Sequence, residues 1–226
     1  MLNWIATFAP NLVKYWGEFT LSIQETLQMF FYSGIIAFIV GLLLGTLFVV
    51  TKKGNIFENR LINWIIDKAI NIFRSIPFII LIAALIPVTR MISGTSIGVK
   101  GAIFPLVLGC VPFFTRQVDM ALSSIDEGLI EAAQSMGISP WGIIFRVYLK
   151  ESIPALARST TITAISLLGL TAMGGAVGAG GLGAFVLRYG YQNYYNDIMI
   201  ICIIITLIMV LIIQFIGDLV IRKTTH

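Results

Sequence analysis

The run from Leu27 to Val50 carries no charge over 24 residues. As a helix it extends about 36 Å, enough to cross a bilayer core of roughly 30 Å. The rest of the chain repeats the theme: of 226 residues, 58% are hydrophobic and 12% charged, with a mean hydropathy of +0.93. Soluble domains are nearer to ~45–50% apolar and ~25% charged. The solvent for much of this chain is therefore expected to be lipid, and the fold class an all-α integral membrane protein.

Four further runs accompany the first. Ser75 to Thr89 is uncharged, and apolar residues continue upstream to Leu61 with Asp67, Lys68 and Arg74 among them. The pattern predicts one long helix whose first turns lie at or beyond the headgroups, its basic side chains snorkelling to that surface. Gly101 to Thr115 contains Pro105 and Pro112. Neighbouring helices can satisfy carbonyls freed by proline, so this segment is predicted to be buried among them. Ser159 to Leu187 ends glycine-rich, which places a helix over about Pro154–Ala172 and a loop or re-entrant turn after it. Ile198 to Gly217 is the last run. In the first run, Gly41 and Gly45 have the small-xxx-small spacing that permits close helix approach.

Five spans put the termini on opposite sides. One set of loops holds Lys52, Lys53, Arg60, Lys68, Arg74, Arg116, Arg146, Lys150, Arg158, Arg222 and Lys223; the other holds Lys14, Arg90, Lys100 and Arg188. The basic excess marks the cytoplasmic side, so the N-terminus is expected outside and the C-terminus inside. No basic n-region opens the chain and Pro10 breaks the first apolar stretch, so the N-terminus does not read as a cleavable signal.

The same inventory excludes several chemistries. The net charge of +4 lacks the basic runs interleaved with aromatics that nucleic-acid binding needs. Cys110 and Cys202 lie in apolar runs and read as small buried hydrophobes. The single histidine is His226, and no metal-ligand spacing exists. Asp67, Asp119 and Asp197 fall near membrane boundaries and are expected at headgroup level, without a proton-coupling role. The string Gly178-Ala179-Gly180-Gly181-Leu182-Gly183 matches the dinucleotide fingerprint by spacing, with Asp197 downstream. That fingerprint requires a strand before it and a βαβ unit around it, and no strand–helix alternation exists here. A steric use for the glycines, at the outer side between spans four and five, is expected instead.

The longest charged insertion, between spans three and four, has helix chemistry of its own. Asp126 is an N-cap with Glu127 in the first turn. Leu129, Ile130, Ala133 and Met136 recur at helical spacing, Gly137 supplies a left-handed stop, and Ser139-Pro140 restarts a helix as N-cap and first position. Two short helices at a sharp angle follow, packed on the chain's own spans or docked into a soluble partner.

Glu131-Ala132-Ala133 with Gly137 resembles the EAA motif of permease subunits of ATP-binding-cassette importers. The motif's usual Ile-x-Leu-Pro ending is replaced by Val147-Tyr148-Leu149-Lys150, with Pro154 four residues later. The stretches Asn71–Leu81, Gly94–Gly98, Ala172–Gly183 and Gln214–Asp218 are similar to the methionine-importer permeases. The resemblance implies a single type-1 importer transmembrane domain over 1–226, with its core about 22–220 and two cytoplasmic coupling helices within about 126–150. It implies methionine (D, L or both) as cargo in a bacterial plasma membrane, by ATP-driven alternating access. It implies a second copy of the permease, two copies of a cytoplasmic ATPase, an extracytoplasmic methionine-binding lipoprotein and surrounding lipid as partners, and no nucleic acid. It implies further that the permease itself has no catalytic residue, metal or cofactor and that ATP and Mg belong to the ATPase, in keeping with the lack of a Walker-type motif in this chain. Glu131, Ala132, Ala133, Gly137, Ser139 and Pro140 are the implied ATPase-coupling residues. Met173, Gly174 and Gly175 are candidates for the gate. Thr163 and Ser166, with Ser159, Thr160 and Thr161, bring hydroxyls that face the pathway or bond to their own helix backbone. The alternatives are the same permease type for another small amino acid or an osmoprotectant, an ATPase-independent carrier, and a membrane-embedded enzyme.

Overall fold

The computed structural model describes residues 9–224. The opening segment and His226 lie outside that range. Among the described residues the chain is helical without a strand. The elements are α1 (Pro10–Lys14), α2 (Trp16–Val50), α3 (Arg60–Ser75), α4 (Phe78–Ala84), α5 (Ile86–Ser93), α6 (Gly98–Leu122), α7 (Glu127–Ser135), α8 (Pro140–Ile143), a π-helical segment (Ile144–Tyr148), α9 (Leu149–Glu151), α10 (Ile153–Ala176), α11 (Gly181–Phe185), a second π-helical segment (Val186–Gln192) and α12 (Asn196–Thr224).

Among the described residues, α2, α6, α10 and α12 are long and apolar enough to cross a membrane. On α12, Ile200, Ile203, Ile204, Leu207, Leu211 and Phe215 are all exposed, an apolar surface suited to lipid rather than water. Helix α2 begins eleven residues before the uncharged run, because Glu18 and Glu25 are accommodated within it. Helix α6 keeps both prolines and is deeply packed: Leu106, Cys110, Thr115, Val118 and Leu122 are at most 1% exposed. Both cysteines are free and buried.

The expected single helix over the second run is not formed. It is three helices, α3, α4 and α5, none of them of spanning length by itself. Pro77 sits at φ −55, ψ 132 as the residue before α4. It lacks an N–H and drives Ile76 out of the α region. Pro87 occupies the first turn of α5, where its missing donor costs nothing. Helix α10 runs to Ala176 rather than Ala172, and the expected loop or re-entrant turn follows it. A tight turn with Gly178 and Gly180 at φ +93 and +84 leads directly into α11 and the second π-helical segment.

The chain divides into two compact units, and the long helices contribute to both. The first comprises residues up to Ile35, Ile76–Leu108 and Ile165–Ile212. Its apolar cluster joins Leu12, Phe19, Leu182, Phe185, Tyr189, Ile198 and Cys202. Asp197, in the first turn of α12, accepts hydrogen bonds from the backbone N–H and side-chain amide of Asn11 at 3.0 and 3.1 Å, which fixes α1. The Tyr189 hydroxyl donates to Glu18, and that bond raises the phenol's pKa.

The second unit comprises Ile36–Ser75, Gly109–Ala164 and the chain from Ile213 onward. Its cluster joins Val49, Val50, Phe114, Val118, Leu122, Ala133, Ile143, Ile144 and Tyr148. Here the Gly41/Gly45 spacing has a visible use. A Cβ at Gly41 would stand 2.7 Å from the Phe114 ring, and one at Gly45 2.5 Å from the Val118 Cβ. The pair serves close packing of α2 on α6.

Candidate functional site

The α7–α8 hairpin forms as its local chemistry predicts. The Asp126 carboxylate accepts from the Gly128 N–H at 2.8 Å and the Ser139 hydroxyl oxygen accepts from the Gly142 N–H at 3.2 Å. Gly137 takes φ +72. Around it the Gly137 N–H donates to the Gln134 carbonyl at 2.9 Å and the Ile138 N–H to the Ala133 carbonyl at 3.1 Å, the paired reverse bonds that close a helix end. Ala133, Ile143 and Ile144 face the second unit's cluster and are at most 5% exposed. Leu129, Met136 and Trp141 are 50%, 72% and 64% exposed, so the hairpin has an inner apolar face and an outer one. Glu131, Ala132, Ser139 and Pro140 are exposed.

A cavity of about 470 Å³ lies between α7 and the turn after α2. Lys52, Lys53, Asn55, Glu127, Glu131 and Tyr148 contribute to its walls. The departure from the motif's usual ending is absorbed without breaking the chain. The π-helical segment continues α8, Lys150 sits in α9, and Pro154 occupies the first turn of α10, where proline fits. Tyr148 is 2% exposed. Its hydroxyl accepts from the Asn55 side-chain nitrogen at 2.8 Å and lies 3.0 Å from the Asn55 side-chain oxygen Oδ1, to which it donates. Burial raises its pKa, so the phenol stays protonated.

In the first unit, the glycine string is a packing device. The Gly181 N–H donates to the Glu25 carboxylate at 2.7 Å and the Leu182 N–H donates to the Thr26 hydroxyl at 2.8 Å. The donors a phosphate would need are thus occupied by side chains of α2. A Cβ at Gly175 would stand 2.9 Å from the Gly180 carbonyl oxygen and 2.8 Å from the Gly183 carbonyl carbon. Glu25→Ala is expected to lower stability by about 1–3 kcal/mol, the cost of an orphaned buried donor. The thermal midpoint of the purified protein in detergent is the measurement.

Compared with known proteins, the chain matches the family model described as binding-protein-dependent transport system inner membrane component over residues 39–226. The chain belongs to this family. It is therefore a transport component of the bacterial inner membrane rather than an enzyme. A probable D-methionine transport system permease protein MetI of Vibrio cholerae is 43% identical over 202 residues, covering 89% of this chain and 90% of that protein. The methionine import system permease protein MetP of Bacillus subtilis is 46% identical over 174 residues, covering 77% and 78%. A solved structure of inward facing conformations of the MetNI methionine ABC transporter superposes with a TM-score of 0.91. It has 45% identity and covers 94% of this chain and 99% of that one.

The structure disperses the remaining candidates of this permease. The coupling candidates Glu131, Ala132, Ala133, Gly137, Ser139 and Pro140 sit together on the hairpin. Ser166, Met173, Gly174 and Gly175 belong to the first unit and Thr163 to the second. Met173 is 52% exposed and Ser166 is exposed, whereas Gly174 and Gly175 are buried. Thr163 is fully buried, and its hydroxyl donates to the Ser159 carbonyl at 2.8 Å, so it is used within its own helix. The Ser159 hydroxyl donates to the Gln117 carbonyl at 3.2 Å.

Sequence reasoning missed a charged cluster in the second unit. Asp119, expected at headgroup level, is only 7% exposed. It pairs with Lys52 at 2.5 Å and with Arg116 at 3.0 Å, and Arg116 pairs with Asp67 at 2.8 Å. The available signal was the i,i+3 spacing of Arg116 and Asp119 near the end of an apolar run. Counted one by one as charges near a membrane boundary, they carry no sign of one another.

Proposed function

We propose that this chain is the methionine-translocating permease of an ATP-binding-cassette importer and works by alternating access. The observation that carries the mechanism is the two-faced α7–α8 hairpin. Its inner face is fixed in the second unit's cluster, and its outer face leaves Leu129, Met136 and Trp141 bare. A soluble ATPase seated on that outer face moves a lever already joined to the spans. Glu131, lining one cavity with Lys52 and Lys53, and Gly137 at the bend belong to the coupling segment.

In this reading the whole of 1–226 is one transmembrane domain. The α3–α5 segment supplies the second of five spans, the N-terminus is outside and the C-terminus inside, and the hairpin is cytoplasmic. Two permeases associate with two ATPases, which hold the ATP and Mg. This chain holds no cofactor, and an extracytoplasmic binding protein delivers the substrate. The names of its relatives, each a methionine permease at 43–46% identity, support methionine as cargo.

Met173, exposed where α10 approaches the glycine turn, is placed at the gate, since a flexible thioether repacks as neighbours move. Met173→Cys is expected to react with a permeant thiol reagent in one nucleotide state and to be protected in another. A cysteine there that never reacts in any state removes Met173 from the gate. Uptake of labelled methionine by vesicles holding the permease, ATPase and binding protein tests the reading as a whole. Uptake of another amino acid or of an osmoprotectant in its place identifies the alternative cargo.

A further inference from the structure

The charged cluster of the second unit joins three elements. From α6, Arg116 donates through one guanidinium nitrogen to Asp119 at 3.0 Å, and through the other to Asp67 at 2.8 Å and the Asn71 side-chain oxygen at 3.2 Å, both on α3. Asp67 and Asn71 are one turn apart and bonded to each other at 3.0 Å. Asp119 passes the connection on to Lys52 in the turn after α2, and Lys52 also donates to Ser123 at 2.9 Å. Lys52 and Arg116 each lie over the Phe48 ring, at 5.4 and 5.2 Å. Two cations and two carboxylates thus balance. The same turn is held by Asn55 to Tyr148, at the end of the π-helical segment that continues α8. An unbroken series of polar contacts therefore runs from the segment after the hairpin, through the turn and α6, to α3.

The attachment of α3 makes this series consequential. Ile70 is the one residue of α3 that is buried, while Leu61, Trp64, Ile65 and Ile72 are exposed. Within the second unit, α3 is held chiefly by polar groups: Asn63 donates to the Phe48 carbonyl at 2.7 Å, and Arg116 grips Asp67 and Asn71. A helix held by interlocked apolar side chains resists re-docking. One held by a planar guanidinium on two acceptors a turn apart has discrete, directional contacts that follow the group that makes them.

We infer that Arg116 is a positioning residue that carries the displacement of the coupling hairpin to α3. This rests on the coupling role proposed for α7–α8. In that scheme, motion at Tyr148 and the turn shifts Lys52 and Asp119, and Arg116 draws α3 with them.

The test uses the complete complex of permease and ATPase in lipid. Spin labels at Lys68→Cys on α3 and Ser124→Cys beyond α6 report the distance between them with and without ATP–vanadate trapping. In the parent complex the distance shifts on trapping. Arg116→Met and Asp67→Asn are expected to abolish the shift while ATP hydrolysis stays near the parent rate. Uptake per ATP hydrolysed should fall by roughly tenfold, within the range of coupling effects along such networks. Arg116→Lys, which keeps the charge without the fork, restores part of the shift. An unchanged shift in both Arg116→Met and Asp67→Asn overturns the inference, as does a fall of hydrolysis and uptake in parallel, which marks a purely structural role. Should Arg116→Met not assemble, Asp67→Asn decides, because that side chain is about one-third exposed. A parent complex that shows no ATP-dependent shift, with or without uptake, overturns the relay. One that shifts but takes up a cargo other than methionine overturns only the methionine reading.

Discussion

Gly183→Ala is expected to abolish accumulation of folded permease. A methyl group at this position meets the backbone of Ala172, its Cα at 2.7 Å and its carbonyl carbon at 2.8 Å. A flexible side chain yields to such a clash, but a helix backbone does not. Three residues along the same face of α10, a Cβ added at Gly175 would stand equally close to the Gly183 carbonyl carbon, so α10 and α11 are in mutual backbone contact. Overpacking a well-fitted site costs about 1–3 kcal/mol, and more where backbone must shift; this site belongs at or above the upper end. Gly169→Ala is the control. It lies in α10 with nothing within 4 Å of the added methyl, and it should be neutral or stabilising by about 0.5–1 kcal/mol through helix propensity. Monodisperse yield in detergent and the thermal midpoint separate the two variants.

Gly137→Val is expected to separate ATP hydrolysis from transport. Nothing lies within 4 Å of a Cβ at Gly137, so the side chain has space; the conformation, φ +72, is what valine resists. A left-handed position costs an ordinary L-residue about 1–2 kcal/mol, and a β-branched one is a clear outlier there. The strain falls on the two reverse bonds that set the angle between α7 and α8. The bend of the hairpin loses its defined shape while the cluster's members from α2 and α6, Val49, Val50, Phe114, Val118 and Leu122, stay packed. Hydrolysis by the ATPase should continue and uptake should be lost. Gly137→Asn, which tolerates the left-handed region, should keep most of the uptake. Transport by Gly137→Val at the parent level, with normal assembly, removes the bend from the coupling mechanism.

The hairpin was legible because its signals are local. Asp126, Gly137, Ser139 and Pro140 each act within four residues of chain, and each takes the predicted cap or turn geometry. The long apolar runs were legible for a related reason, since membrane-length hydrophobicity is a sum over one segment. What escaped was set by distant partners. Pro77 is a local breaker, but the uniform hydropathy of Ser75 to Thr89 concealed its effect. Asp119 reads as a boundary charge until Lys52 is placed against it across 67 positions of sequence. The glycine string needed Glu25 and Thr26, 156 positions away, to reveal that its amide donors are already taken.

The most direct test of the central claim is methionine accumulation by sealed proteoliposomes that hold this permease with its ATPase and binding protein. Uphill methionine uptake that requires ATP and the binding protein, and that disappears in Gly137→Val while hydrolysis persists, is the result predicted. Methionine accumulation that proceeds without ATP or without the ATPase, or a complete complex that hydrolyses ATP and moves no methionine, contradicts it.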